Sequence, residues 1–190
     1  MRFVDIVKKE AGRFITRYDI TYETVDKKTK VYEIISRDKN ITGFDELHNR
    51  DVDAVVLIMF NEDKSKILMN KEFRLSVGEW VYNFPAGLID PGEDAYMAAK
   101  RELKEETGLD LIKVTDVIGE SYSAVGFSNE KNVCVVGIAA GDFAPSSSTV
   151  EEIEANWYSR EEIRGLLKTG KFAARSQAFS YVWSHMEDLK

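Results

Sequence analysis

The stretch from Gly87 to Leu109 constrains this chain most, because it would place three carboxylates along one edge of a short helix. The stretch has the sequence GLIDPGEDAYMAAKRELKEETGL, and Glu102, Glu105 and Glu106 follow an i, i+3, i+4 spacing. At about 100° per residue, these side chains fall within roughly a third of the helix circumference. Like charges at this spacing destabilise an isolated helix by about a few tenths of a kcal/mol. The cluster is therefore either a solvated surface edge or a site for a hard divalent cation, which prefers oxygen ligands.

The residues around the cluster favour the cation site. Ala99 and Leu103 lie on the adjacent arc and predict a helix face that packs on a core. Pro91-Gly92 predicts a turn before the helix, and Gly108 suits a left-handed cap at its end. The stretch is thus expected to be a tight loop over residues 87–92, followed by a short helix with an acidic edge.

The same stretch resembles the signature of the Nudix hydrolase family. The residues that fill its specified positions are Gly87, Glu93, Arg101-Glu102-Leu103, Glu105-Glu106, Gly108 and Leu109. The resemblance implies an α/β (α+β) fold, namely the Nudix-type α/β/α sandwich with a mixed sheet. Here an N-terminal antiparallel β extension would precede the sandwich.

In that family the loop and helix bind divalent metal and hydrolyse a diphosphate linked to another moiety. Carried over by position, the resemblance implies a set of Mg²⁺ or Mn²⁺ ligands: the carboxylates of Glu102 and Glu106, assisted by Glu105, and the backbone carbonyl of Ala86. It also implies that Glu93 and Arg101 brace the loop against the helix.

Composition excludes several other classes of protein. The net charge of −7 argues against a general nucleic-acid or anionic-membrane binder, so no nucleic-acid or membrane partner is expected. No apolar run is long enough to span a membrane or to resemble a signal peptide. The single cysteine, Cys134, cannot form an internal disulfide and is expected to be a buried core residue in a cytoplasmic protein. His48 and His185 lack the spacing of a zinc site.

The N-terminal part reads as a β unit that is too small to be stable alone. Residues 13–25 and 31–37 are rich in β-branched and aromatic side chains and predict two antiparallel strands. Residues 1–12 fit either a short helix or an irregular segment, and 39–50 read as a polar linker. We therefore predict an extension over residues 1–48, used for dimerisation, and a hydrolase domain over 49–190.

The remaining pattern alternates strands and helices around the signature. Strands are predicted over residues 53–60, 66–74, 112–122, 133–139 and 153–158. Ser159 and Glu162 form a capping-box pattern that predicts a helix to about Lys168. A final amphipathic helix is predicted from Ala174 to about Leu189, with apolar residues at positions 178, 179, 182, 183 and 186.

Three further segments resemble ADP-ribose pyrophosphatases and related nucleoside-diphosphate-sugar hydrolases: residues 32–37, 72–74 and 84–90. Such enzymes are commonly homodimers that exchange N-terminal strands, and aromatic residues of that region stack on the base. The resemblance points to Tyr32 for this role, with Tyr18 and Tyr22 behind it; for these two, ordinary strand packing is the favoured interpretation.

Two arginines and one glutamate complete the expected site. A guanidinium matches phosphate oxygens, so Arg74 is the expected diphosphate ligand and Arg37 a weaker candidate. Similar enzymes carry a glutamate in the loop over 123–132 that orients or deprotonates the attacking water or binds metal, and Glu130 is the candidate here. ADP-ribose enzymes typically have proline where this chain has Val125.

The expected reaction is therefore metal-dependent hydrolysis of a nucleoside diphosphate sugar, with ADP-ribose giving AMP and ribose 5-phosphate. The catalytic set would be Glu102, Glu105, Glu106 and Glu130. Because of Val125, GDP-mannose or another nucleoside diphosphate derivative stays open as the substrate. A module of this fold that senses a nucleotide without hydrolysing it is the alternative from another class.

Overall fold

A computed structural model describes residues 1–48 and 50–186, which form two compact units. The first unit is built from the described residues of Met1–Asp53 together with Glu120–Asn132. The second unit is built from Ala54–Gly119 and the described residues from Val133 onward. A segment from the middle of the chain, residues 120–132, thus belongs with the N-terminal residues.

The first unit contains a three-stranded antiparallel sheet, with the strands in the order β1-β2-β3. The elements of the unit are β1 (Arg2–Ala11), β2 (Thr16–Glu23), β3 (Thr29–Ser36) and the short helix α1 (Phe44–His48). The antiparallel pair predicted from the sequence is confirmed as β2 and β3, with Tyr18 opposite Ile34 and Ile20 opposite Tyr32.

Two sequence predictions in this unit were wrong. Residues 1–12 form neither a helix nor an irregular lead-in, because Arg2–Ala11 is a strand paired along β2. Its register shifts between Phe3 and Asp5 and again between Lys8 and Ala11, so its side chains do not alternate with the regular period of a strand. The segment 39–50 is also more than a linker, since it contains α1.

A small apolar core holds this unit together: Ile6, Tyr18, Ile20, Ile34 and Ile41. Tyr18 is fully buried within it. Its hydroxyl donates to the carbonyl oxygen of Asp38 at 2.9 Å and accepts from the backbone N–H of Ile41 at 3.3 Å. Both polar functions of Tyr18 are therefore used in packing, which leaves Tyr22 and Tyr32 as aromatic residues available to a ligand.

The second unit is built on a seven-stranded sheet in the order β10-β5-β4-β9-β8, with β6 paired to β5 and β7 paired to β4. The strands are β4 (Ala54–Phe60), β5 (Lys66–Arg74), β6 (Glu79–Asn83), β7 (Ala86–Leu88), β8 (Asp110–Tyr122), β9 (Lys131–Ala140) and β10 (Ile153–Ser159). The helices are α2 (Ala95–Thr107), α3 (Arg160–Thr169) and α4 (Ala174–His185).

Helices cover both faces of this sheet, as the alternation along β4 shows. Val56 and Ile58 share a buried cluster with Ile163 of α3 and Trp183 of α4. The intervening residues of β4 point to the other face, where α2 packs through side chains that include Leu103. The predicted mixed α+β sandwich is confirmed. Of the helices in residues 1–48 and 50–186, none combines the length and apolarity needed to span a bilayer.

The last helix buries a different face from the predicted one. Among the predicted apolar positions, Val182 and Met186 are about half exposed, and only Trp183 is buried. The buried line instead runs through three serines: Ser176, Ser180 and Ser184. Short hydroxyl side chains allow the helix backbone to approach the sheet closely, which an apolar-period argument does not anticipate. The predicted end near residue 189 lies outside the described residues.

Cys134 is also less buried than expected. It is partly exposed and packs against the edge of the cluster around Trp183. Burial still raises the pKa of its thiol. The residue therefore fits a packing role without being part of the fully buried core.

The predicted capping box at the start of α3 is present and gives a direct stability test. The backbone N–H of Glu162 donates to Ser159 Oγ, while Glu162 Oε2 accepts from the backbone N–H of Ser159 at 2.8 Å. We expect Ser159→Ala to lower the free energy of unfolding by about 1 kcal/mol in urea titrations. Glu162→Gln keeps an acceptor and should lose less, and an unchanged unfolding midpoint in Ser159→Ala would contradict the assignment.

Candidate active site

The signature begins in the sheet rather than in a free loop, which corrects the prediction of a loop from Gly87. Strand β7 pairs with β4, so that Ala86 lies opposite Val56 and Gly87 opposite Val55. The backbone N–H of Leu57 donates to the carbonyl oxygen of Pro85 at 2.8 Å. These bonds fix the backbone around Ala86, whose carbonyl was predicted to bind metal. The turn itself falls at Pro91-Gly92, where Gly92 has φ +90°.

Helix α2 is closed at both ends by residues of the signature. Asp94 caps its start by accepting from the backbone N–H of Met97 at 2.8 Å, a cap that the sequence analysis did not assign. Gly108 ends the helix in a left-handed conformation with φ +80°, as predicted. The acidic edge is therefore held on a helix with defined ends.

Gly87 lies directly against the carboxylate of Glu102. A Cβ atom at position 87 would lie 1.9 Å from Cδ of Glu102 and 2.0 Å from its Oε1. No side chain other than hydrogen fits there while Glu102 keeps this position. The glycine of the signature is thus required by the carboxylate of the helix.

Arg101 connects the strand, the turn and the helix. It donates to both carboxylate oxygens of Glu93, at 2.9 and 2.7 Å, and to the carbonyl oxygen of Leu88 at 2.9 Å. It also donates to Glu102 at 2.7 Å and more weakly to Glu105 at 3.3 Å. Hydrogen bonds to Glu93 and, next, to Glu102 raise the pKa of Arg101, and the bonds between Arg101 and Glu93 lower the pKa of Glu93. This guanidinium therefore orients one end of the acidic edge.

Glu106 is the most buried carboxylate of the edge, with only 7% of its surface exposed. Its Oε2 accepts from Nδ2 of Asn70 on β5 at 2.7 Å. Burial, followed by the negative charges of Glu102 and Glu72, raises the pKa of Glu106 well above its ordinary value. Burial likewise raises the pKa of Glu102, although Arg101 partly opposes the shift. Two carboxylates whose charged forms are disfavoured lie side by side, and a bound cation would relieve both.

The sequence analysis missed three polar residues of this site. Asn70 and Glu72 lie two residues apart on the same face of β5, and Glu151 is close enough for its charge to raise the pKa of Glu102 and Glu106. Asn70 directly follows the apolar run Ile67-Leu68-Met69 within the predicted strand, and a polar residue at that position is a sequence signal that could have identified it. Glu151 follows a serine-rich loop and carries no comparable signal.

Arg74 lies at the end of β5 beside Glu72. Its Nη1 donates to Oε2 of Glu72 at 3.4 Å, and about half of the Arg74 side chain is exposed. Glu72 is mostly buried, and its Oε1 also accepts from Nδ2 of Asn83 at 3.1 Å. The predicted diphosphate ligand is thus accessible and held on one side by a buried carboxylate.

The first unit brings together two other predicted site residues, Arg37 and Glu130. Nε of Arg37 donates to Oε2 of Glu130 at 2.5 Å, and the hydroxyl of Ser123 donates to Oε1 at 2.8 Å. The arginine predicted to contact phosphate and the glutamate predicted to handle water are therefore partners of each other in this conformation.

Tyr32 contributes to a cavity of about 450 Å³ that lies within the first unit. Its walls are mainly apolar and include Tyr22, Tyr32, Ile34, Leu47, Tyr122 and Val125. The hydroxyl of Tyr32 donates to the carbonyl oxygen of Gly126 at 2.5 Å. Tyr18 does not line the cavity. A cavity with several aromatic walls suits a flat, partly apolar ligand group such as a nucleobase.

Across residues 1–48 and 50–186, no three Asp, Glu, His or Cys side chains converge as a ready-made metal site. Neither histidine joins the acidic edge, since the ring of His48 bonds to the carbonyl oxygen of Phe44 and that of His185 to Tyr181. This part of the site is a row of carboxylate oxygens. Burial disfavours the charged form of two of these carboxylates, Glu102 and Glu106. That donor chemistry fits Mg²⁺ or Mn²⁺ and does not fit zinc.

Comparison with known families decides the membership of the chain. A sequence model of the NUDIX domain matches residues 50–179, which is more than half of the chain. The chain belongs to the Nudix family. The match includes α2 and every signature residue described above.

The names of two relatives both refer to ADP compounds. The chain is 35% identical over 107 residues to the ADP-ribose pyrophosphatase of Saccharomyces cerevisiae, a match that covers 55% of this chain and 46% of the relative. It is 33% identical over 102 residues to the ADP compounds hydrolase NudE of Escherichia coli, covering 54% of this chain and 52% of the relative. The chain thus spans about half the length of these relatives.

A solved structure supports the fold. The chain superposes on a crystal structure described as an ADP compounds hydrolase with a TM-score of 0.73, covering 100% of this chain and 95% of the other. Sequence identity is 19%, so this likeness bears on the fold alone.

The contact between Gly87 and Glu102 provides a test that separates activity from stability. In Gly87→Ala the new methyl group must displace the Glu102 carboxylate, which is the mobile end of a side chain. We expect phosphohydrolase activity to fall roughly 10- to 100-fold while the melting temperature changes little. Gly119→Ala is the matched control, because nothing lies within 4 Å of its added Cβ. Equal activities of the two variants would contradict this role of Gly87.

Proposed function

We propose that this Nudix protein hydrolyses the diphosphate bond of a nucleoside diphosphate sugar, with ADP-ribose as the expected substrate and AMP and ribose 5-phosphate as products. The observation that carries the proposal is the pair Glu102 and Glu106. Glu102 lies against the backbone of Gly87, and Glu106 is buried on the same helix edge. Burial raises the pKa of both carboxylates, and the negative charge of Glu102 raises that of Glu106 further. The names of the yeast and Escherichia coli relatives support the choice of an ADP-containing substrate.

The residues expected to hold Mg²⁺ or Mn²⁺ are Glu102 and Glu106, with Glu105 and the carbonyl oxygen of Ala86. When bound, such a cation would neutralise diphosphate charge and lower the pKa of a coordinated water. Oxygen donors are the type that these cations prefer, and a bound cation would offset the burial that raises the pKa of Glu102 and Glu106. Glu105 is about half exposed and bonded only weakly to Arg101, so it can reorient at little cost.

The other side chains have separate tasks in this proposal. Arg101 and Glu93 hold the helix edge against β7, and Asn70 orients the Glu106 carboxylate. Arg74 would bind the diphosphate through its exposed guanidinium. Glu130 would orient or deprotonate the attacking water, which requires it to exchange its bond with Arg37. A diphosphate oxygen is a suitable replacement partner for Arg37.

The base would bind in the aromatic cavity of the first unit, with Tyr32 as its stacking residue. We further propose a homodimer formed through the N-terminal strands. Val4 and Val7 of β1, and Phe14 and Ile15 in the turn that follows, are exposed apolar residues on this unit, and a second copy could cover them. The net charge of −7 means that a polyanionic substrate depends on local arginines and metal for binding.

Val125 favours a second candidate substrate class. It stands where the resemblance to ADP-ribose enzymes would place proline, and it lines the same cavity as Tyr32. Valine in place of proline changes the shape of the cavity at this position and therefore the space available to the base. GDP-mannose and other nucleoside diphosphate derivatives therefore belong in the same substrate panel.

The direct test is incubation with ADP-ribose and Mg²⁺, followed by chromatographic detection of AMP. We expect turnover in the wild type, a loss of at least about 100-fold in Glu106→Gln, and no turnover after chelation with EDTA. Glu161→Gln, which changes an exposed residue in the first turn of α3, is the control and should retain activity.

Two outcomes would contradict the proposal. Equal activity of Glu106→Gln and wild type would remove the acidic edge from the mechanism. Tight binding of ADP-ribose without any turnover in the presence of metal would instead favour a nucleotide sensor. Preferential turnover of GDP-mannose would retain the chemistry and change the substrate.

The stacking role of Tyr32 can be tested separately from chemistry. In Tyr32→Ala, we expect the KM for ADP-ribose to rise roughly tenfold or more, because base–aromatic stacking contributes about 1–3 kcal/mol, while kcat changes little. Tyr181→Ala, which removes an exposed tyrosine of α4, is the matched control. A KM that is unchanged in Tyr32→Ala would exclude Tyr32 from base binding.

A further inference from the structure

A continuous chain of hydrogen bonds leads from the last helix of the second unit to Arg74. The hydroxyl of Ser176 on α4 donates to Oδ1 of Asn83 at 2.7 Å, and Nδ2 of Asn83 donates to Oε1 of Glu72 at 3.1 Å. Oε2 of Glu72 then accepts from Nη1 of Arg74 at 3.4 Å. Residues nearly a hundred positions apart in the sequence are joined in this way.

Each bond of the chain determines the direction of the next one. Ser176 Oγ accepts from the backbone N–H of Phe84 at 3.2 Å, so its single proton is directed to Asn83. With its oxygen bonded to Ser176, the Asn83 amide presents its NH₂ group to Glu72. Glu72 thereby accepts through Oε1, and its second oxygen is turned to Arg74.

Burial makes this arrangement more than a surface network. Ser176 is fully buried and Glu72 is only 9% exposed, whereas Arg74 is about half exposed. Hydrogen bonds to a charged group are stronger in such an environment, and their geometry varies less. The rigid end of the chain lies in the protein interior, and the end that can meet a ligand is Arg74.

We infer that Ser176, Asn83 and Glu72 are positioning residues for diphosphate binding: Ser176 and Asn83 orient the buried Glu72 carboxylate, which lies 3.4 Å from Nη1 of Arg74 and biases the direction of its guanidinium. The inference rests on the proposed function in one respect, the role of Arg74 as a diphosphate ligand. It adds that diphosphate affinity depends on α4, an element outside the signature. It also gives a reason for a hydroxyl group at position 176, which accepts from the Phe84 N–H and donates to Asn83.

Ser180 offers an internal comparison. It lies one helical turn after Ser176 on the same buried face, but its hydroxyl contacts only the sulfur of Met69, at 3.9 Å. Both serines are fully buried and both can be replaced by alanine with the same change in volume. An effect of the lost volume should therefore appear in both variants. Ser176→Ala also removes the acceptor of the buried Phe84 N–H, so its melting temperature should fall more than that of Ser180→Ala. The readout that separates positioning from stability is a raised KM at unchanged kcat.

The experiment measures two quantities in the full chain: the dissociation constant for inorganic pyrophosphate with Mg²⁺, by calorimetry, and KM and kcat for ADP-ribose. We expect Ser176→Ala to raise the dissociation constant and KM roughly tenfold, with kcat within about twofold of wild type. Ser180→Ala should match wild type in both. Glu72→Gln retains its volume and should shift the same quantities in the same direction as Ser176→Ala.

A double-mutant cycle tests whether the effect passes through Arg74. Arg74→Ala alone should weaken pyrophosphate binding, and adding Ser176→Ala to it should cause no further loss, because the positioned group is already absent. Additive losses in the double variant would overturn the inference. So would equal behaviour of Ser176→Ala and Ser180→Ala, or a wild type that does not bind pyrophosphate.

The outcomes also separate this inference from the proposed function. If ADP-ribose is not turned over but pyrophosphate binding still depends on Ser176 and not on Ser180, the positioning role stands and the substrate assignment fails. If ADP-ribose is turned over and Ser176→Ala equals wild type, the function stands and the positioning role is overturned.

Discussion

Folding of the second unit brings several carboxylates together, and the candidate site depends on how their negative charges are balanced. Glu102 and Glu106 are held close to each other and to Glu72, in surroundings where burial raises the pKa values of Glu102 and Glu106. The chain compensates with donors fixed by the fold, namely Arg101 on the helix and Asn70 on the sheet. A divalent cation at this edge, as we propose, would add to the compensation that these donors provide.

How much could be predicted from the sequence depends on whether a feature is local or arises from tertiary contacts. The signature, its helix, the left-handed cap at Gly108 and the capping box at Ser159 are local patterns, and each was predicted correctly. Family membership followed from the signature alone and is confirmed by the domain match. These features depend on residues within a few positions of each other, which is the range over which spacing carries information.

Features that depend on tertiary contact were missed. The shifts of register in β1 hid its period, and the apolar pattern of α4 did not predict that serines line its buried face beside Trp183. Asn70 and Glu72 contribute to the site only because the fold sets β5 beside α2. The pairing of Arg37 with Glu130 likewise joins residues ninety-three positions apart. No spacing rule could have linked these residues before the strands were paired.

The position of Arg101 has a consequence for how substitutions in the signature are read. One guanidinium serves Glu93, Glu102 and Glu105, and it also anchors the carbonyl oxygen of Leu88. Removing any one of these carboxylates frees the guanidinium to move toward the others, so the loss that is measured includes a redistribution of shared bonds. Summed losses from single substitutions would then exceed the loss caused by replacing all of them together. An alanine scan of this segment would therefore report, for each glutamate, both its own contribution and the movement of the shared Arg101 guanidinium.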